Sequence, residues 1–71
     1  MEIRVMPSGK RWAVRRAGRR SDLAVADTVE EAIAIGRQYA RRARCEFTVF
    51  GRDGMIRERD SFGDHPYIAR R

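Results

Sequence analysis

Apolar and polar residues alternate in several short runs of this chain and recur at helical spacing in one longer run. In residues 1–6, Ile3 and Val5 fall on one side and Glu2 and Arg4 on the other, as in a half-buried strand. PSGK, residues 7–10, is turn chemistry. Residues 11–16 alternate again, with Trp12 and Val14 opposed to Arg11, Ala13 and Arg15. The two runs predict a hairpin whose inner face is Ile3, Val5, Trp12 and Val14. Trp12 is the largest apolar side chain, and a core anchor suits it better than an exposed stacking platform. AGRRSD, residues 17–22, reads as a polar loop, and LAVA, residues 23–26, as a short strand or extended run.

Residues 28–44, TVEEAIAIGRQYARRAR, form the only segment long and periodic enough for a helix. Thr28 followed three residues later by Glu31 is a capping box, in which hydroxyl and carboxylate satisfy exposed backbone N–H groups. Val29, Ala32, Ile33, Gly36, Ala40 and Ala43 share one stripe, flanked by Ile35 and Tyr39. Those side chains are mostly small, so the helix lies close against a flat partner, for which a sheet is the natural choice. Gly36 costs about 1 kcal/mol against alanine in a helix interior, which points to close backbone approach there.

Residues 46–50 alternate, with Phe47 and Val49 opposed to Thr48 and Phe50. GRDG, residues 51–54, predicts a second hairpin, because Asp-Gly supplies the positive φ angles of tight turns. Its return strand is MIRER, residues 55–59. A four-residue loop turns Ile56 inward and Met55, Arg57 and Arg59 outward; a three-residue loop exchanges the faces. The expected architecture is α+β: a small antiparallel sheet of four strands, five if LAVA joins it, with one helix packed on one face, in the order β-β-(β)-α-β-β. Residues 1–62 make the single domain and 63–71 a C-terminal tail, with Phe62 folding back onto the core. The uncovered face then presents Arg11, Ala13, Arg15, Thr48, Phe50, Met55, Arg57 and Arg59.

At 71 residues there is room for one sheet and one helix. The single cysteine, Cys45, excludes an internal disulfide, and one Cys with one His cannot build a zinc set. Neither a signal peptide nor a run of about 20 apolar residues is evident, so the expectation is a cytoplasmic protein with no membrane partner. Sixteen basic residues against ten acidic ones give a formal net charge of +6, and all the cations except Lys10 are Arg. The planar Arg fork suits bidentate phosphate contacts, although the same bias follows from a GC-rich genome. Positive charge concentrates in residues 1–22 and at the helix end. There Arg37, Arg41 and Arg44 form a row that complements the helix dipole, or that an anion bridges.

The residues W12-A-V-R-R, D27-T-V-E-E-A-I and G51-R-D-G-M-I-R-E-R-D-S-F-G63 resemble the domain of unknown function 2188 family of short bacterial and phage proteins. The resemblance implies a small α+β domain and carries no activity, cofactor or site residue with it. Typical members end soon after the S-F/Y-G segment; this chain continues through His65 to Arg71.

The residues do not assemble an enzyme: His65 has no Ser or Cys partner at a recognisable spacing, and GRDG lacks the Lys-Ser/Thr of a phosphate loop. Ser61, Asp60 and Asp64 read as turn and capping residues, and Cys45 as an apolar filler. No cofactor and no metal are expected. The leading reading is a non-enzymatic domain that binds nucleic acid, DNA or RNA, with low sequence specificity. Its contacts are Arg11, Arg15, Arg16, Arg19, Arg20, Arg37, Arg41, Arg57 and Arg59 to phosphate, with Phe50 as a stacking platform. The competing reading is a protein-interaction module, either a homodimer or the adaptor of an acidic partner protein. On that view the alternating charges of Arg57, Glu58, Arg59 and Asp60 pair across an interface containing Phe50 and Met55.

Overall fold

The computed structural model describes residues 1–63. Five strands and one helix follow in the order β1 (Glu2–Ser8), β2 (Arg11–Arg16), β3 (Asp22–Ala26), α1 (Val29–Ala43), β4 (Glu46–Phe50) and β5 (Ile56–Ser61). LAVA is thus a true strand, and the architecture is α+β with the expected element order. The strands lie side by side as β3-β2-β1-β4-β5. One seam differs from the antiparallel expectation: β1 and β4 pair in parallel, with Ile3 opposite Phe47 and Val5 opposite Val49. The physical reason is the single helix. It carries the chain from the end of β3 back to the opposite end of the sheet, so β4 sets off in the direction of β3, which is also that of β1.

Thr28 caps α1 from an extended conformation and its hydroxyl accepts the Glu31 N–H at 3.1 Å. At the far end Arg44 takes a left-handed conformation, φ 52°, and its N–H returns to the carbonyls of Ala40 and Arg41. Glu30 and Glu31 in the first turn and Arg41 and Arg42 in the last complement the dipole. Ala32, Gly36 and Ala40 form the buried line, while Val29, Ile33, Ile35 and Ala43 pack beside it. Tyr39, expected on that flank, is exposed. Beneath the helix lie Ile3, Val5, Trp12, Val14, Phe47 and Val49, and Phe62 folds back as expected, its ring 6.5 Å from that of Phe47.

The register of the second hairpin, which the sequence leaves open between two loop lengths, is set by a loop over residues 51–55 and a bulge. Its loop is closed by the Gly51 N–H on the Met55 carbonyl at 2.9 Å and the Gly54 N–H on the Gly51 carbonyl at 3.0 Å. Asp53 Oδ1 accepts the Met55 N–H at 3.0 Å, and Gly54 has φ 82°. Val49 pairs with Glu58 but Phe50 pairs with Ile56, so a bulge falls at Arg57. Ile56, inward for a four-residue loop and outward for a three-residue one, therefore shares the open face with Phe50 and is 51% exposed. Glu58 turns to the helix side, where it forms an ion pair with Arg37.

The open face is also less bare than the alternation implies. Ala13 and Thr48, expected to be presented there, are 0% and 1% exposed. Ala13 sits between the larger Met6 and Val25, its cross-strand neighbours. Thr48 is covered in part by Glu2, whose carboxylate accepts its hydroxyl. Residues 64–71, including Asp64 and His65, lie outside the described residues.

Candidate nucleic-acid interface

Strand direction decides which arginines meet. The end of β2 faces the start of β1, with Arg16 opposite Ile3, and the Ala17 N–H donates to the Glu2 carbonyl at 2.8 Å. β4 starts beside Glu2, immediately after the helix ends. The β2–β3 loop, the N-terminus and the C-terminal turn of α1 therefore share one end of the sheet. Arg16, Arg19, Arg20 and Arg41 are all carried to that end, together with Arg42. Arg19, Arg20, Arg41 and Arg42 are exposed. Arg41 lays its guanidinium over Phe62, 5.4 Å from the ring centre, and the Phe62 N–H donates to the Cys45 carbonyl at 3.0 Å. Arg16 is half-buried, and its Nε is enclosed without a hydrogen-bond partner among the described residues.

Most of the sheet-face arginines are held by the protein's own carboxylates. Arg15 donates to Asp22 Oδ1 from Nε at 2.9 Å and from a terminal nitrogen at 2.7 Å. Arg11 Nε lies 3.1 Å from Asp27 at the opposite end of the sheet. Arg37, expected in an outward row with Arg41, is drawn to Glu58 and lies over the Phe47 ring at 5.8 Å. Glu58 is the anion that relieves its repulsion with Arg41. Phe50 is half-buried with the Arg4 guanidinium 5.8 Å over its ring. Arg57 sits at the hairpin bulge, away from the arginines of the helix end, and Arg59 opposite Thr48 on the open face; both are exposed.

Sequence reasoning passed over two groups. Glu2 is the hub of the open face: it accepts the Thr48 hydroxyl and the Arg4 Nε–H, the latter at 2.9 Å. Two residues apart on one strand, Glu2 and Arg4 necessarily share a face, and that signal was available. Burial alone would raise the Glu2 carboxyl, but the Thr48 hydrogen bond, the bond and charge of Arg4 and the charge of Arg59 together hold it below its ordinary value. A carboxyl lowered by folding stabilises fully above the ordinary glutamate range and loses that contribution as pH falls through the lowered value. Glu2→Gln is expected to lower stability by about 1 kcal/mol at neutral pH and by less near pH 3. Urea titrations at the two pH values check this; an equal loss at both would remove the charge from the explanation.

The second group is Arg52. It reaches from the β4–β5 loop to the β1–β2 turn, donating to the Gly9 carbonyl at 2.8 Å and lying 4.9 Å over the Trp12 ring. Cys45 is buried; burial pushes its thiol up, against the pull of the N-terminal ammonium, the Ile3 backbone and Arg16. At neutral pH it is a protonated filler and not a nucleophile. No three His, Cys, Asp or Glu side chains among the described residues are grouped to hold a metal, and no helix among them is long and apolar enough to cross a membrane.

Fold and site define a small α+β domain: a five-stranded mixed sheet, one covering helix, and a set of arginines at the helix C-terminal end. The chain belongs to the family described as an uncharacterized protein conserved in bacteria (DUF2188), whose family model matches residues 3–62. No curated protein and no solved structure matches it.

Proposed function

We propose that this domain binds nucleic acid through the phosphate backbone, using the end formed by the β2–β3 loop and the C-terminal turn of α1. The observation that carries the reading is the state of the arginines. Arg19, Arg20 and Arg42 are exposed and have no carboxylate partner among the described residues, whereas Arg4, Arg11, Arg15 and Arg37 are neutralised within the fold. Among the described residues, the acids nearest that end are themselves engaged: Asp22 by Arg15, Glu2 by Arg4 and Thr48, Glu46 by the Ser61 hydroxyl at 2.7 Å. Cations without internal partners attract phosphate by counterion release and without reading bases.

The same geometry favours duplex over single strands. Sequence-tolerant capture of single strands relies on open aromatic faces. Trp12 lies under Arg52, Phe47 is buried, and Phe50 and Phe62 each carry a guanidinium over the ring, which leaves Tyr39 as the single exposed ring among the described residues. Backbone contact to a duplex needs none of these rings. The contact surface is thus displaced from the sheet face to the end of the molecule.

The test is fluorescence anisotropy with a labelled duplex oligonucleotide at two salt concentrations. The triple variant Arg19→Glu, Arg20→Glu, Arg42→Glu is expected to bind at least about tenfold more weakly at low salt, with a shallower dependence of log K on log salt. Arg57→Glu, remote from that end, is expected to bind as the parent does. Equal affinity and equal salt slope for parent and triple variant would reject the proposal.

A further inference from the structure

The tip of the β4–β5 hairpin combines two features, exposed apolar side chains and a shallow depression. Met55 and Ile56, adjacent in sequence, are 67% and 51% exposed, the largest apolar exposure on any connected pair of described residues apart from the N-terminal methionine. They line a shallow depression with Gly51, Arg52, Asp53 and Arg57. Arg57 is exposed and has no carboxylate partner among the described residues. We propose that this open face of the hairpin docks a segment of another protein in which an apolar side chain is flanked by carboxylates.

The chemistry selects that occupant over two others. A phosphodiester would satisfy Arg57 but leave Met55 and Ile56 in water, since neither presents a flat face for a base. A second copy pairing along β5 meets like charges. A two-fold pairing of antiparallel strands keeps the faces of the sheet, so residues on the same face oppose each other. Arg59 lies on the open face with Thr48, while Glu58 and Asp60 lie on the helix side with Val49 and Phe47. Centring the pair on Arg59 sets Arg59 against itself and Glu58 against Asp60; centring it on Glu58 sets Glu58 against itself. Like charges directly opposed are destabilising. The edge is blunted further because the Ser61 N–H is taken by Asp60 Oδ1 at 2.9 Å. A foreign segment with acidic residues escapes this repulsion and gains Arg57 and Arg59.

The hairpin is also held ready for binding. Arg52 fastens the loop to Gly9 and Trp12, and Asp53 closes it from inside, so little ordering is left to the binding step.

The probe is a labelled synthetic peptide in which Asp and Glu flank a central Leu-Val pair, with a counterpart carrying Lys at every acidic position. Binding is followed by anisotropy and by amide shifts of the ¹⁵N-labelled full chain. The acidic peptide is expected to move the amides of residues 54–60 and to bind about tenfold tighter than the Lys counterpart. Arg57→Glu should abolish that preference, and Met55→Ser with Ile56→Ser should weaken binding several-fold, both with an unchanged far-UV spectrum. Equal binding of the two peptides, or shifts confined to residues 17–21, overturns the proposal. So does a dimeric mass by light scattering that reverts to monomer in the Met55→Ser, Ile56→Ser variant, because a second copy then owns the surface. Arg19→Glu with Arg20→Glu should leave peptide binding intact, which keeps this outcome separate from that of the duplex experiment.

Discussion

Trp12→Ala is expected to lower stability by about 3–5 kcal/mol, the range for deleting a large core aromatic. A domain of this length has roughly 4–10 kcal/mol in total, so the variant should be substantially unfolded at physiological temperature. Trp12 is 8% exposed, on β2 between Pro7 of β1 and Ala26 of β3. It is the largest apolar group in a core whose other large buried side chain, Phe47, is itself fixed by close packing, so no neighbour can refill the space. Arg52 closes its one open side and joins the two hairpin turns. Arg52→Ala should therefore cost about 1 kcal/mol, for the lost stacking and the lost bond to Gly9. It should also wet the ring and shift its emission to the red. Urea unfolding followed by far-UV circular dichroism measures both. A Trp12→Ala protein that unfolds at the parent's urea concentration would mean that the ring is not the anchor of this core.

The parts legible in the sequence were those set by local spacing. Thr28 and Glu31 mark the helix start, and the spacing of Ala32, Gly36 and Ala40 marks its buried line, because cap and stripe are properties of one short segment. The alternation around Trp12 and Val14 likewise defines the inner face without knowledge of any partner. What was not legible depends on which strand lies beside which. Pairing of Arg37 with Glu58 needs the β5 edge to lie under the helix flank, and that of Arg15 with Asp22 needs a bulge between Val14 and Arg15. A single inserted residue at Arg57 returned Ile56 to the open face, and no periodicity within five residues announces such an insertion. These same contacts moved the candidate site. Read as a row of side chains, the sheet face is cationic throughout; with its carboxylates in place Arg4, Arg11 and Arg15 are paired, and Arg57 and Arg59 are left exposed. The helix end retains the charge because Arg19, Arg20 and Arg42 lie on a loop and a helix surface with no acid among the described residues paired to them.

Gly36→Val is expected to be the most damaging single change in the helix, and Gly36→Ala fixes the reason. On propensity alone alanine should stabilise by about 1 kcal/mol. A Cβ at this position would stand 2.7 Å from Phe47 Cε1 and 3.0 Å from Val5 Cγ2, inside normal contact distance for both. The ring cannot swing aside cheaply: Phe47 is fully buried, with the Arg37 guanidinium 5.8 Å over it and Phe62 packed at 6.5 Å. Overpacking of this kind costs about 1–3 kcal/mol, so it outweighs the propensity gain and Gly36→Ala should be net destabilising by about 1 kcal/mol. Valine adds two methyl groups to the same gap and a branched Cβ to the helix, and should lift the helix from the sheet at a cost of about 3 kcal/mol or more. Thermal and urea unfolding of the pair give the answer. If Gly36→Ala proves more stable than the parent, the helix stands farther from Phe47 and Val5 than described, and the packing that fixes Arg37 against Glu58 would need to be redrawn with it.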